Sequence, residues 1–96
     1  MPVTAVRRHI LDSDPRRVLG LHVKDVSRGG LSAIAREKLQ HSEELVLFLP
    51  PLGTAMGEDA TGQVVRCVFQ NGYYELGIAF HRPLGDPDES PARLDS

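Results

Sequence analysis

A carboxylate, a hydroxyl and a glycine lie close together in one short polar stretch of the chain. Asp25 is followed by Ser27 two residues later and by Gly30 three residues after that, at the end of a strand-like run. A carboxylate accepts hydrogen bonds from N–H donors, and a serine hydroxyl can bond a phosphate or a base. Glycine lets the backbone turn tightly and lets a ligand approach it. The spacing therefore predicts a polar cluster suited to a small ligand.

Positive charge is concentrated in the same part of the chain, although the whole protein of 96 residues has a net charge of -2. Six basic residues precede residue 31: Arg7, Arg8, Arg16, Arg17, Lys24 and Arg28. Such a patch could serve a phosphate-bearing small ligand, whereas the overall charge argues against binding a nucleic-acid polymer. The alternative is an ordinary solvated surface.

Other residues that often carry chemistry form no recognisable site. Cys67 is the only cysteine, which excludes an internal disulfide, and its apolar neighbours predict a buried, inert thiol. The histidines show no metal-ligand spacing with it: His9, His22, His41 and His81. Motifs for nucleophilic catalysis, a phosphate-cradling loop or a metalloprotease are missing. We therefore expect no enzymatic activity, no metal and no cofactor.

The hydropathy of the chain bears on its location. No apolar run approaches the ~20 residues that a membrane helix needs. The N-terminus lacks the long apolar segment of a secretion signal. We therefore expect a cytoplasmic protein that does not bind membranes.

The elements that must position Asp25 and its neighbours are strands. Residues 3–10 and 16–26 read as two strands, separated by a turn at 12–15 where Asp and Ser side chains bond the backbone. Strict alternation along the second strand puts Asp25 on the apolar face.

Two glycine features modify this second strand. Gly20 suggests a bulge or a close approach of another backbone. The Gly29-Gly30 pair ends the strand, because glycine enters conformations with positive φ freely.

Four further strands are predicted after this glycine pair. They cover 31–35, 44–49, 62–69 and 73–80, with a loop at 52–61. Asn71-Gly72 between the last two predicts a hairpin, because a type I′ turn needs two positive φ angles. Gly77 implies that something approaches the last strand closely. Residues 36–40 would suit a helical turn, but we favour a strand at 31–35 followed by a simple turn.

The strand at 44–49 is apolar on both faces, which predicts that both faces are covered. Six short strands separated by turns predict an all-β fold, an antiparallel sheet closed into a small six-stranded barrel over residues 3–82. Residues 83–96 are proline-rich and acidic, which predicts a disordered tail.

The order of these features resembles the PilZ domains, small bacterial β-barrels many of which bind cyclic di-GMP. Asp25, Ser27 and Gly30 match the D-x-S-x-x-G motif of that family, and Leu31 supplies the apolar residue that often follows its glycines. The hairpin resembles the closing hairpin of the family, whose last strand commonly ends G-[apolar]-x-F. The matching residues are Gly77, Ile78, Ala79 and Phe80.

This resemblance implies binding of cyclic di-GMP and transmission of that signal to a protein partner. The expected ligand-binding residues are Asp25, Ser27, Gly30, Arg28, Arg7 and Arg8. The second ligand motif of the family, R-x-x-x-R, is absent, because no arginine is followed by another four positions later. The alternative is a degenerate domain that binds only protein, in which Asp25 and Ser27 satisfy backbone groups and Gly30 makes the turn.

Overall fold

Alternating apolar and polar residues build six strands that close into a barrel in the computed structural model, which describes residues 1–51 and 57–84. The strands are β1 (Pro2–Arg7), β2 (Val18–Val26), β3 (Gly30–Ala35), β4 (Glu44–Leu49), β5 (Glu58–Gln70) and β6 (Tyr73–Phe80). Their order around the barrel is β1-β2-β3-β6-β5-β4, with every neighbouring pair antiparallel. The all-β, six-stranded barrel predicted from the sequence is therefore confirmed.

The core fills the inside of the barrel, because every second residue of each strand points inward. Leu45, Leu47 and Leu76 are completely buried there. The prediction that both faces of 44–49 are covered is wrong, since Phe48 is 43% exposed on the outer face. A barrel strand has one inner and one outer face, and apolar residues on the outer face remain in contact with water.

The β5–β6 hairpin has the predicted turn. Asn71 and Gly72 adopt φ angles of 56° and 85°, which are the two positive values that a type I′ turn requires. β5 is longer than predicted and begins at Glu58, inside the predicted loop at 52–61. Residues 52–56 of that loop lie outside the described residues.

The first loop also differs from its prediction. β1 ends at Arg7, whereas a strand was predicted to residue 10. A single 3-10 turn, Pro15–Arg17, replaces the predicted start of the second strand. The Asp14 carboxylate accepts a hydrogen bond from the Arg16 backbone N–H at 2.8 Å. Hydrogen bonds from the Arg16 side chain and backbone lower the pKa of Asp14 to about 2.

Two β-bulges interrupt the regular pairing. In β2, Val23 pairs with Ala33 and Asp25 pairs with Ser32. Lys24 is therefore an extra residue without a partner in β3. In β5, the register shifts between Val64 and Arg66 in the same way. Because an extra residue reverses the inward and outward alternation beyond it, the predicted position of Asp25 on the apolar face is wrong.

Gly20 was the predicted irregularity of β2. It keeps regular pairing with Thr4, and a Cβ added there would meet no atom within 4 Å. The bulge therefore occurs four residues further along the strand than the sequence suggested.

The end of the described chain packs against the barrel. The Leu84 side chain packs against the core, and its N–H donates to the Arg28 carbonyl oxygen at 2.9 Å. The disordered tail predicted for 83–96 lies, from residue 85 onward, outside the described residues. Across the described part of the chain, no helix is long and apolar enough to cross a membrane.

Candidate ligand site at the β2–β3 turn

The turn that joins β2 to β3 brings three of the predicted site residues together. Asp25, Ser27 and Gly30 all line one small cavity of about 290 Å³. The Ser27 N–H donates to the Gly30 carbonyl oxygen at 2.8 Å, and the Ser27 hydroxyl approaches the same oxygen at 3.2 Å. Ser27 therefore closes the turn, and its hydroxyl oxygen can still accept a hydrogen bond from a ligand.

Gly30 is required by close packing between strands. A Cβ at this position would overlap the Ile78 carbonyl oxygen of β6. The φ angle of Gly30 is not positive, in contrast to that of Gly72. The prediction that the Gly29-Gly30 pair needs positive φ is therefore wrong, and the approach of β6 explains why residue 30 is glycine.

Backbone hydrogen bonds hold the turn against the end of the last strand. The Phe80 N–H donates to the Gly29 carbonyl oxygen at 2.9 Å, and the Leu84 N–H donates to Arg28. These bonds fix the turn without using the Arg28 side chain, which is exposed. A ligand at the turn can therefore reach a guanidinium on a backbone that is already ordered.

The Asp25 carboxylate points away from the core. Asp25 is exposed and pairs with Ser32, whose neighbours Leu31 and Ala33 face the core. Among residues 1–51 and 57–84, no hydrogen bond or ion pair uses this carboxylate. The Asp25 side chain consequently stabilises no backbone group of the described chain and is available to an external donor.

Arg7 and Arg8 lie elsewhere. Arg7 ends β1 beside Leu45, close to the start of β2, whereas the turn follows the end of β2. The nine residues of β2, at about 3.3 Å each, make that strand roughly 30 Å long. The structure therefore separates Arg7 and Arg8 from the Asp25 cavity.

The Arg7 side chain is already bonded. It is 8% exposed and donates to both carboxylate oxygens of Glu43, from Nε at 2.5 Å and from Nη2 at 3.1 Å. His9 Nδ1 lies 3.5 Å from Glu43 Oε2. Glu37 Oε2 lies 3.6 Å from Arg7 Nη1. We call these four residues the Arg7 cluster. Arg8 is exposed and lines a separate cavity of about 640 Å³.

The Arg7 cluster changes the acidity of its buried carboxyl. Burial alone raises the pKa of Glu43, but hydrogen bonds from Arg7 and from the Gln40 N–H, with the charges of Arg7 and His9, outweigh burial and hold the pKa below its usual range. The Glu43 side chain is 1% exposed, and an ionised group in such a place needs this internal compensation. The cluster therefore fastens the end of β1 to the loop before β4.

Sequence reasoning did not predict that Lys24, Arg66 and Glu75 come together on the outer face of the barrel. Lys24 and Arg66 lie 3.5 Å and 3.7 Å from the Glu75 carboxylate. Lys24 is the extra residue of the β2 bulge, and Arg66 follows the extra residue of the β5 bulge. No simple sequence pattern indicates a bulge. Within the described ranges, no group of three or more His, Cys, Asp or Glu side chains could hold a metal ion.

Comparison with known proteins identifies the family of the chain. The family model of the PilZ domain matches residues 4–93, and the chain therefore belongs to the PilZ family. PilZ domains are ligand-binding or adaptor domains of the cyclic di-GMP type and are not an enzyme family. No curated protein and no solved structure matched the chain.

Proposed function

We propose that the chain is a cyclic di-GMP receptor that holds its ligand at the β2–β3 turn and passes the signal to a protein partner. The observation that carries the proposal is the Asp25 carboxylate, which is exposed, lines the turn cavity and has no partner within the described residues. An adaptor that kept the motif only for folding would be expected to use this carboxylate in its own turn. Membership of the PilZ family supports the choice of cyclic di-GMP as the ligand.

The chemistry of the turn suits a guanine nucleotide. Guanine presents adjacent N–H donors, and an ionised carboxylate accepts two such bonds. The Ser27 hydroxyl can accept a further hydrogen bond. Arg28 at the top of the turn offers a planar guanidinium, which pairs with phosphate or stacks on a base.

Isothermal titration calorimetry with cyclic di-GMP tests this function, with GTP as the control ligand and Asp25→Ala as the variant. We expect saturable binding by the natural chain, little binding of GTP, and at least a tenfold loss in the variant. Circular dichroism of Asp25→Ala should be unchanged, since the Asp25 side chain is exposed and bonds no other group in the described part of the chain. Absence of heat from the natural chain at high ligand concentration would exclude the proposal.

A second candidate function, a nucleotide-independent adaptor, is supported by apolar residues on the β5–β6 hairpin. Val68, Phe69 and Tyr73 are 45%, 63% and 45% exposed, and Phe69 packs against Tyr74 with ring centroids 5.0 Å apart. Val68 and Tyr73 lie on one face of the hairpin and Phe69 on the other, and exposed aromatic residues are typical of protein–protein contacts.

The adaptor function predicts a protein partner whose binding ignores cyclic di-GMP. Replacing Phe69 with Asp should abolish that binding in a pull-down, whereas Asp25→Ala should not affect it. Binding of the partner that requires the nucleotide, or that survives Phe69→Asp, would contradict the adaptor function.

A further inference from the structure

Four residues form one continuous row across the outer face of the barrel. Asp25 of β2 pairs with Ser32 of β3, Ser32 pairs with Gly77 of β6, and Gly77 pairs with Arg66 of β5. We call this set the outer row. Neighbouring strands lie about 4.8 Å apart, so the row runs from the motif carboxylate to an arginine three strands away.

Both charged ends of the outer row face outward because of the two bulges. Val23 and Val64 are buried on the inner face, and strict alternation would turn Asp25 and Arg66 inward as well. The extra residues Lys24 and Val65 reverse that alternation. Two independent irregularities thus place opposite charges on one row, and bulges commonly re-aim side chains beside binding sites.

The middle of the outer row is flat. Gly77 has no side chain, and Arg66 lies over it: a Cβ built on Gly77 would lie 3.4 Å from Arg66 Cβ and 3.7 Å from its Nε. These are ordinary contacts, so the glycine is not demanded by packing between strands. The Arg66 side chain therefore lies over β6, where its guanidinium approaches Glu75, and Ser32 separates Gly77 from Asp25 along the row.

The cation at the end of the outer row remains accessible. The Arg66 side chain is 56% exposed, and its ion pair with the partly exposed Glu75 is long, at 3.7 Å. Exposed ion pairs of this kind contribute little to stability, so a phosphate can displace Glu75 at little cost. Arg66 and Asp25 are two strand spacings apart once the guanidinium lies over Gly77, or about 10 Å.

We propose that Arg66 binds a phosphate of the nucleotide whose base is held by Asp25, so that the ligand lies along the outer row over Ser32 and Gly77. This inference rests on the proposed function and deepens it. The chain has no R-x-x-x-R motif to bind a phosphate. The inference gives that role to Arg66 of β5 instead. A ligand must carry both a base and a phosphate, about 10 Å apart, to reach both groups, which excludes a nucleoside because it has no phosphate.

The test compares Arg66→Ala with the natural chain by calorimetry with cyclic di-GMP. We expect an affinity loss of about ten- to a hundredfold, as for one charge-assisted contact to phosphate. Arg66→Lys should recover part of it, since lysine keeps the charge without the planar fork. Arg8→Ala is the matched control, because it removes the same charge from an exposed residue outside the row and should change the affinity less than twofold.

A second variant and a spectroscopic measurement locate the ligand. Gly77→Val leaves every charge in place but covers the middle of the row, and should weaken binding at least tenfold. In a ¹H–¹⁵N titration of the natural chain, the amides of Ser32 and Gly77 should shift with those of Asp25 and Ser27.

The possible results separate the two proposals. Equal affinity of Arg66→Ala and the natural chain, with binding still lost in Asp25→Ala, would overturn the outer row and leave the receptor function intact. Amide shifts confined to the β2–β3 turn would also overturn the outer row and leave the receptor function intact. No binding of cyclic di-GMP by the natural chain would overturn both.

Discussion

The Arg7 cluster and the β2–β3 turn use the same kinds of charged side chain in opposite ways. In the cluster, Arg7 and Glu43 are buried and bond each other twice. At the turn, Asp25 and Arg28 are exposed, and Asp25 has no partner in the described chain. Charges satisfied inside the protein hold the fold, whereas a charge left unsatisfied in water is available to a ligand. The difference explains why Arg7, which is buried and bonded to Glu43, is a poor candidate for a ligand site.

The largest expected effect comes from Glu43→Ala, which leaves Arg7 buried without its partner. Removing one member of a buried ion pair costs about 3–5 kcal/mol, so the free energy of unfolding measured in urea should fall by that amount. The double variant Arg7→Met with Glu43→Leu is the control, because an apolar pair of similar volume should regain most of the stability. A loss below about 1 kcal/mol in Glu43→Ala would show that the cluster does not hold the fold.

Gly30→Ala tests the turn, and its expected effect is smaller. The added methyl group meets the Ile78 carbonyl oxygen, and relieving such an overlap costs about 1–3 kcal/mol. Gly29→Ala is a matched control, since nothing lies within 4 Å of its added carbon. If the two variants had equal melting temperatures, close approach of β6 would not be the reason for glycine at position 30.

Acid unfolding distinguishes the two regions further. Because the pKa of Glu43 is held below its ordinary value of 4.5, its contribution to stability is complete above about pH 4.5. That contribution is lost as the pH falls through the lower pKa of the folded state. The melting temperature of the natural chain should therefore fall more steeply below pH 4.5 than that of Glu43→Gln. If the melting temperatures of the natural chain and Glu43→Gln fell in parallel with pH, the Glu43 carboxyl would have the same pKa in the folded and the unfolded state.

The smallest expected effect on stability is that of Asp25→Ala. Its exposed side chain has no bonded partner among residues 1–51 and 57–84, and substitutions of this kind usually change stability by about 0.5 kcal/mol or less. Together with a large loss of ligand affinity, this result would separate binding from folding at the turn. A loss of stability comparable to that of Glu43→Ala would show that Asp25 serves the fold.

Local patterns predicted most of the barrel. The Asn71-Gly72 turn was readable because its two positive φ angles demand particular residues. The strand at 44–49 was readable because its leucines alternate. By contrast, Glu58 and Asp59 looked like a loop, although charged residues are also normal on the outer face of a barrel strand.

The candidate site was only partly predictable. Asp25, Ser27 and Gly30 could be found because they follow each other closely in the chain. The outward direction of Asp25 could not, since a bulge depends on the pairing of two strands and not on the sequence of one. The bond between Arg7 and Glu43 joins residues 36 positions apart, and nothing local in either segment indicates it.

The hydrogen bond from the Leu84 N–H to the Arg28 carbonyl oxygen has a practical consequence for building sensors. A fluorescent protein fused to the chain beyond Leu84 would begin its linker beside the ligand turn. If a nucleotide displaced Arg28, the hydrogen bond to Leu84 would pass the movement directly to the point where the reporter is attached. A fusion at the β5–β6 hairpin would lack that mechanical link, so comparing the two fusions would show where the domain delivers its output.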